Sequence, residues 1–93
     1  MLIVTVKIQV KPKFKQVCLD NFKSLSKDVE TENGFIAYKM YTDPDNENNF
    51  FLFEKWESQE LLDAHLATKH MQEYFKISAD WFVDKQFEIF VVK

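Results

Sequence analysis

The sequence predicts an α+β domain of the ferredoxin-like type, with helices packed on one face of a four-stranded antiparallel sheet. Three observations predict it: an N-terminal segment whose apolar residues alternate, a following segment with helical spacing, and a hairpin pattern that precedes a second helical segment. A final strand completes the order β-α-β-β-α-β. Right-handed crossovers then place the helices on the same face of the sheet. The 93 residues suffice for one domain, residues 1–93.

The first two elements differ in the period of their apolar residues. From Leu2 to Val10 every even position is apolar, which is the pattern of a strand with one buried face. Lys11-Pro12-Lys13 interrupts this strand, since proline cannot donate to the ladder. An amphipathic helix is then expected between about Phe14 and Glu32, and Gly34, the only glycine, is expected to cap it. The apolar stripe of this helix comprises Cys18, Phe22, Leu25 and Val29.

A hairpin is predicted in the middle of the chain. Phe35 to Thr42 and Asn49 to Glu57 have the composition of strands. Asp43-Pro44-Asp45-Asn46 lies between them and consists of residues that favour turns. The short connection makes the two strands antiparallel neighbours.

Helical signals return after the hairpin. Ser58 is a suitable N-cap, and helical spacing follows through Leu66. A second helical stretch starts near Lys69–His70, and its apolar face continues toward Phe82. Lys85 to Val92 is the final predicted strand.

The predicted sheet has large apolar residues on both faces, although two helices can cover only one. In the third strand, Phe50 and Leu52 alternate with Phe51 and Phe53, and the segment from Phe87 to Val92 repeats this pattern. Soluble monomers rarely expose apolar patches of this size. A second copy related by two-fold symmetry would cover the open face, so we expect a homodimer.

Composition and charge argue against several classes of protein. The net charge is −3 and arginine is absent, so the basic surface of a nucleic-acid-binding protein is not expected. A single glycine excludes GxGxxG and Walker-type loops, which need several glycines. The single cysteine, Cys18, excludes an intrachain disulfide and CxxC or iron–sulfur chemistry. Its place on the helical stripe predicts a small buried hydrophobe.

No targeting or membrane segment is predicted. The N-terminal segment alternates and no basic residue precedes it, unlike a signal peptide. No stretch approaches the ~20 apolar residues of a membrane span. We therefore expect a cytoplasmic protein that does not bind membranes.

Two histidines and one carboxylate are the candidate chemical groups. On a continuous helix His65 and His70 would lie about 140° apart, so a shared metal ion is not expected unless the helix breaks near Thr68. His65 lies on an apolar stripe, where it is either a structural histidine or a base that faces a cavity. Glu54 shares the apolar face of its strand and needs a partner, for which Lys7, Lys39 and His65 are the candidates.

Several segments resemble one known family. Glu54-Lys55-Trp56-Glu57-Ser58, followed by Ala64-His65-Leu66, Thr68 and His70-Met71, is similar to the signature of the antibiotic biosynthesis monooxygenase family. Val10-Lys11-Pro12-Lys13 resembles the loop after the first strand of that family. Glu32-Asn33-Gly34-Phe35 with Tyr38 resembles the E-x-G-x-x-x-Y motif of the same family. The resemblance covers nearly the whole chain.

The resemblance implies a dimeric α+β barrel that oxygenates quinols, anthrones or polyketide phenols with O₂. It implies no metal, flavin or haem, because a deprotonated substrate supplies the electrons. The protein then binds the substrate, removes a proton and excludes water. We expect His65 to accept the proton or orient the substrate. The expected pocket residues are Leu52, Trp56, Phe75 and Trp81, with Tyr74 or His70 as a polar contact.

The chain departs from the family pattern at several positions, which keeps a second hypothesis open. Leu52, Phe53 and Leu62 stand where some antibiotic-pathway members have polar donors. The alternative is therefore a non-catalytic dimeric module, which either binds a small ligand or is a stress-related protein without turnover. Haem degradation is less favoured because Phe75 and Lys7 replace the residues of that branch. Isomerisation of sugar phosphates is less favoured because arginine is absent.

Overall fold

The computed structural model describes residues 1–93 and confirms the predicted α+β class. Four strands form one antiparallel sheet in the spatial order second, third, first, fourth. Three helices lie on one face of the sheet, since the two helical stretches predicted after the hairpin form separate helices. The elements are β1 (Leu2–Val10), a 3₁₀ turn (Pro12–Phe14), α1 (Lys15–Val29), β2 (Phe35–Asp43), β3 (Asn46–Trp56), α2 (Gln59–Leu66), α3 (Lys69–Ile77) and β4 (Phe82–Val91).

The core lies between the helices and the central strands. Even-numbered residues of β1 are buried, as the alternation predicts, and Val4 is fully buried. In the register of β1 with β3, Val6 lies opposite Leu52 and Leu2 lies opposite Trp56. These side chains therefore point to the same face of the sheet, where α1, α2 and α3 cover them.

Gly34 does not cap α1, so this part of the prediction is wrong. The helix ends at Val29, and its C-cap Glu30 keeps right-handed geometry. Gly34 has a φ of 81° in the turn before β2. A Cβ atom there would lie 2.5 Å from Leu61 Cδ1. The glycine is required both by the left-handed conformation and by the close approach of α2.

Two strand boundaries also differ from the predictions. β3 starts at Asn46, three residues earlier than expected. β4 starts at Phe82, within the segment predicted to be helical, because α3 ends at Ile77. The backbone N–H of Lys11 donates to the carbonyl oxygen of Trp81 at 2.8 Å, which fixes the approach to β4 beside the end of β1.

β4 is an edge strand and the least covered part of the sheet. Phe87 and Ile89 point to the helix side but remain 47% and 41% exposed. Phe90 points to the opposite side and is 46% exposed. On that side, Phe51 and Phe53 of β3 are only half-buried. The sequence predicted that the uncovered apolar surface lies on one face of the sheet, whereas β4 exposes apolar side chains on both faces.

No helix of the structure has the length and apolar character needed to cross a membrane.

Candidate active site

An apolar cavity of about 260 Å³ lies between the helices and the sheet. Its volume lies slightly below the ~300 Å³ at which ligand pockets typically start, so it suits only a small ligand of one or a few rings. The charged or amide-bearing side chains in its lining are Asn21, Glu54, His65 and Lys85. The apolar and aromatic lining comprises Val6, Ile8, Cys18, Phe22, Leu25, Tyr38, Met40, Leu52, Leu66, Met71, Tyr74, Phe75 and Phe87.

His65 is held at the cavity by a stack and by a carboxylate. Only 1% of the residue is exposed, and its ring lies 4.3 Å from the ring of Trp56 at an interplanar angle of 30°. Its Nδ1 lies 2.9 and 3.0 Å from the two carboxylate oxygens of Glu32. Because a carboxylate only accepts, Nδ1 carries the hydrogen and Nε2 carries the lone pair.

The Nε2 atom of His65 has no hydrogen-bond partner within the protein. The carboxyl group of Glu54 lies close to it, with Oε1 3.6 Å away. Burial lowers the pKa of His65, and the hydrogen bond to Glu32 opposes this effect. The imidazole is therefore neutral at neutral pH, with a buried lone pair available to accept a proton.

Glu54 is a buried carboxyl group beside this lone pair. It is 4% exposed, and Trp56 Nε1 donates to its Oε1 at 3.1 Å. Burial raises the pKa of Glu54 to about 7, although the hydrogen bond from Trp56 acts in the other direction. Of the predicted partners, only His65 is near. Lys7 and Lys39 lie opposite Phe51 and Phe53 in the sheet register, on the other face.

A helix break brings the two histidines to the same carboxylate. α2 ends at Leu66, and the hydroxyl of Thr68 starts α3 by accepting a hydrogen bond from the N–H of Met71 at 3.4 Å. His70 Nε2 then lies 2.8 Å from Glu32 Oε2. The angle between His65 and His70 that was expected on a continuous helix therefore does not apply. One ligating atom each from Glu32, His65 and His70 lies within 4.8 Å of the others, so this set can hold a metal ion.

The structure brings four of the predicted site residues together at the cavity: His65, Leu52, Tyr74 and Phe75. Trp56 is fully buried behind the His65 ring. Trp81 packs edge-on against Tyr74 at 6.3 Å between ring centroids. His70 contacts Glu32 and has a side chain that is 27% exposed. Trp56, Trp81 and His70 are therefore not part of the cavity lining, and each supports or adjoins a residue that is.

Four residues at the site were given no role by the sequence: Asn21, Glu32, Tyr38 and Lys85. Asn21 was detectable, since it follows Cys18 by three positions on the apolar stripe of α1, and its Oδ1 is buried without a partner. Glu32 and Tyr38 lie in a motif but 33 and 27 residues from His65 in sequence. Lys85 was detectable too, since it alternates with Phe87 and Ile89 on one face of the last strand. Its Nζ lies 5.1 to 5.5 Å from the ring centroids of Phe82, Tyr74 and Phe75.

Comparisons with known proteins agree with this fold. The family model described as "Antibiotic biosynthesis monooxygenase" matches residues 1–77. The Bacillus subtilis (strain 168) protein named "Putative monooxygenase YcnE" is 29% identical over 72 residues, which are 77% of this chain and 76% of that protein.

Two solved structures extend the likeness over the full length. A conserved protein from Methanosarcina mazei Go1 superposes with a TM-score of 0.93 and 28% identity, covering 99% of this chain and 92% of that chain. A structure described as an antibiotic biosynthesis monooxygenase has a TM-score of 0.89 and 23% identity, covering 100% of this chain and 99% of the other. At that identity the second likeness shows the fold alone.

Proposed function

Because this chain belongs to the antibiotic biosynthesis monooxygenase family, we propose that it oxidises a small quinol-like or polycyclic aromatic substrate with O₂. The reaction uses no metal, flavin or haem. One observation carries the proposal: the lone pair of His65 Nε2, without a partner in the protein, adjoins an apolar cavity of about 260 Å³. That combination suits the removal of a proton from a flat, weakly polar molecule.

In the proposed mechanism, His65 Nε2 accepts the proton of a substrate hydroxyl. Glu32 accepts the hydrogen bond from Nδ1–H and stabilises the imidazolium that forms, since it lies 2.9 Å away. The ammonium of Lys85, which also lines the cavity, favours the substrate anion electrostatically. The apolar lining keeps water away from this anion.

The electrons come from the substrate itself. The electron-rich anion reduces O₂, and one oxygen atom forms a new C–O bond while the other leaves as water. For a quinol, the overall change is quinol plus O₂ to hydroxyquinone plus water, so no external reductant is needed. The role of the chain is to bind, to take the proton and to hold the anion.

Oxygen uptake with menadiol tests the proposal directly. Wild-type protein should consume O₂ faster than the buffer-only autoxidation, and His65→Ala should fall to the autoxidation rate. Since His65→Ala leaves a void beside Trp56, His65→Gln is the second variant, and it keeps most of the side-chain volume. Glu73→Gln, an exposed position on α3, is the matched control. Equal uptake by wild type and both His65 variants would remove this histidine from the mechanism.

We also propose that the working unit is a homodimer. The supporting observation is the exposed apolar side chains of β4, of which Phe90 and Val91 are 46% and 71% exposed. Sedimentation equilibrium at micromolar concentration should give twice the chain mass of 11.1 kDa. Phe90→Glu should weaken the association, whereas Glu73→Gln on the exposed surface of α3 should not. A wild-type mass of one chain would refute the dimer.

A second candidate function is non-catalytic binding of a small apolar ligand. The specific observation in its favour is that Leu52 lies in the cavity wall, where some family members have a polar donor. A rise in Tm with menadione, together with no oxygen uptake from menadiol, would favour this alternative. Turnover that survives a chelator would exclude it.

A further inference from the structure

Glu32, His65 and His70 form a compact group on the side of the His65 ring that faces away from Glu54. Their ligating atoms lie within 4.8 Å of one another, and each histidine is 2.8 to 3.0 Å from a Glu32 oxygen. Ligands at ~2.0–2.1 Å from a tetrahedral Zn²⁺ are about 3.3 Å apart. An ion therefore requires only small side-chain shifts, shared between residues on three separate segments.

We propose that these three residues bind one divalent transition-metal ion, with Zn²⁺ as the ion that fits best. Two imidazole nitrogens and one carboxylate suit Zn²⁺ and its neighbours, whereas Mg²⁺ and Ca²⁺ prefer sites made of oxygen ligands. A set of two histidines and one glutamate leaves a fourth position for water. The His70 side chain is 27% exposed, which provides access to the site from solvent.

A second observation supports a metal on His65 Nδ1. With a metal on that atom, the ring hydrogen moves to Nε2 and points at Glu54, whose Oε1 is 3.6 Å away. This is the carboxylate–histidine–metal arrangement that orients most metal-bound imidazoles. The buried nitrogen that lacks a partner in the metal-free protein then gains one. Glu54 is already fixed in place by the N–H of Trp56.

The ion would act as an off switch for the proposed base. It binds the edge of the imidazole ring away from Glu54, so the cavity stays open. Yet it forces the hydrogen onto Nε2, which can then no longer accept a proton from the substrate. This consequence rests on the proposed function, whereas the binding site itself does not.

Isothermal titration of tag-free protein with Zn²⁺ tests the binding site. The chain has only two histidines and one buried cysteine, so few other tight sites are available. Wild type should bind one ion per chain, and His70→Ala should bind at least 100-fold more weakly. Glu32→Gln should show a similar loss, with circular dichroism to confirm that it folds.

A control variant, a variant of Glu54 and a second metal ion, Co²⁺, complete the test of the binding site. Glu73→Gln, an exposed carboxylate on the same helix as His70, should bind as wild type does. Glu54→Gln should lose ~10- to 100-fold in affinity, as expected for a group that holds a ligand. Co²⁺ should give the strong visible absorption of a low-coordinate site in wild type and lose it in His70→Ala. Wild-type binding no tighter than that of His70→Ala would overturn the proposal.

Oxygen uptake then tests the switch. One equivalent of Zn²⁺ should suppress turnover of menadiol by wild type, and EDTA should restore it. Tight binding with unchanged turnover would overturn the switch. If the metal-free protein shows no turnover, the proposed function fails for this substrate, while the titration alone still decides the metal site.

Discussion

Replacing Glu54 by glutamine should make stability less dependent on pH. The carboxyl group is 4% exposed, and its pKa is raised from 4.5 to about 7 by burial. Between these values the folded state holds a proton that the unfolded state has lost, so stability falls as pH rises through this window. A pKa shift of this size contributes about 3 kcal/mol to the free energy of unfolding, and this contribution is fully lost above the pKa of Glu54 in the folded state. Glutamine mimics the protonated form and keeps an oxygen that can accept from Trp56.

The measurement is urea denaturation at fixed protein concentration, with EDTA present, at pH 4.5 and pH 8.5. Glu54→Gln should match wild type at pH 4.5 and exceed its free energy of unfolding by up to about 3 kcal/mol at pH 8.5. Glu73→Gln on the exposed face of α3 is the matched control and should stay close to wild type at both values. A stability difference between Glu54→Gln and wild type that is the same at both pH values would refute the reasoning, because it would come from packing and not from the proton.

Three further substitutions test the packing around the site. Trp56→Phe removes the N–H donor to Glu54 and should lower the free energy of unfolding by about 1–3 kcal/mol in urea denaturation, since a buried acceptor loses its partner; an unchanged midpoint would contradict this. Gly34→Ala should cost more than about 1 kcal/mol from backbone strain plus the clash with Leu61, and adding Leu61→Ala should recover only the clash part. Leu52→Trp should fill part of the cavity and weaken the rise in Tm with menadione, and an undiminished rise would place the ligand elsewhere.

The strands and their order along the chain could be predicted from local patterns. β1 alternates over nine residues, and that period fixes both the strand and its buried face. Ser58 and the break after Leu66 are also local features, and Ser58 does accept the hydrogen bond from the N–H of Leu61. Such features depend on neighbours in sequence, so sequence reasoning can find them.

The site depended on contacts that are distant in sequence. Glu32 meets His65 across 33 residues and His70 across 38, and no spacing rule connects them. Glu54 was recognised as unusual because a carboxylate on an apolar face needs a partner. Its partner, however, is the indole of Trp56 two residues away, a pairing that the alternation of the strand permits but does not specify.

The stack of Trp56 on His65 also gives the molecule its own optical reporter. Indole emission is quenched by a nearby imidazolium far more than by a neutral imidazole, and these two rings are 4.3 Å apart. The chain has two tryptophans, so Trp81→Phe leaves a single fluorophore in contact with the proposed proton acceptor. The fluorescence intensity of Trp56 would then report the ionisation of His65 in real time, during turnover or titration, without any added label.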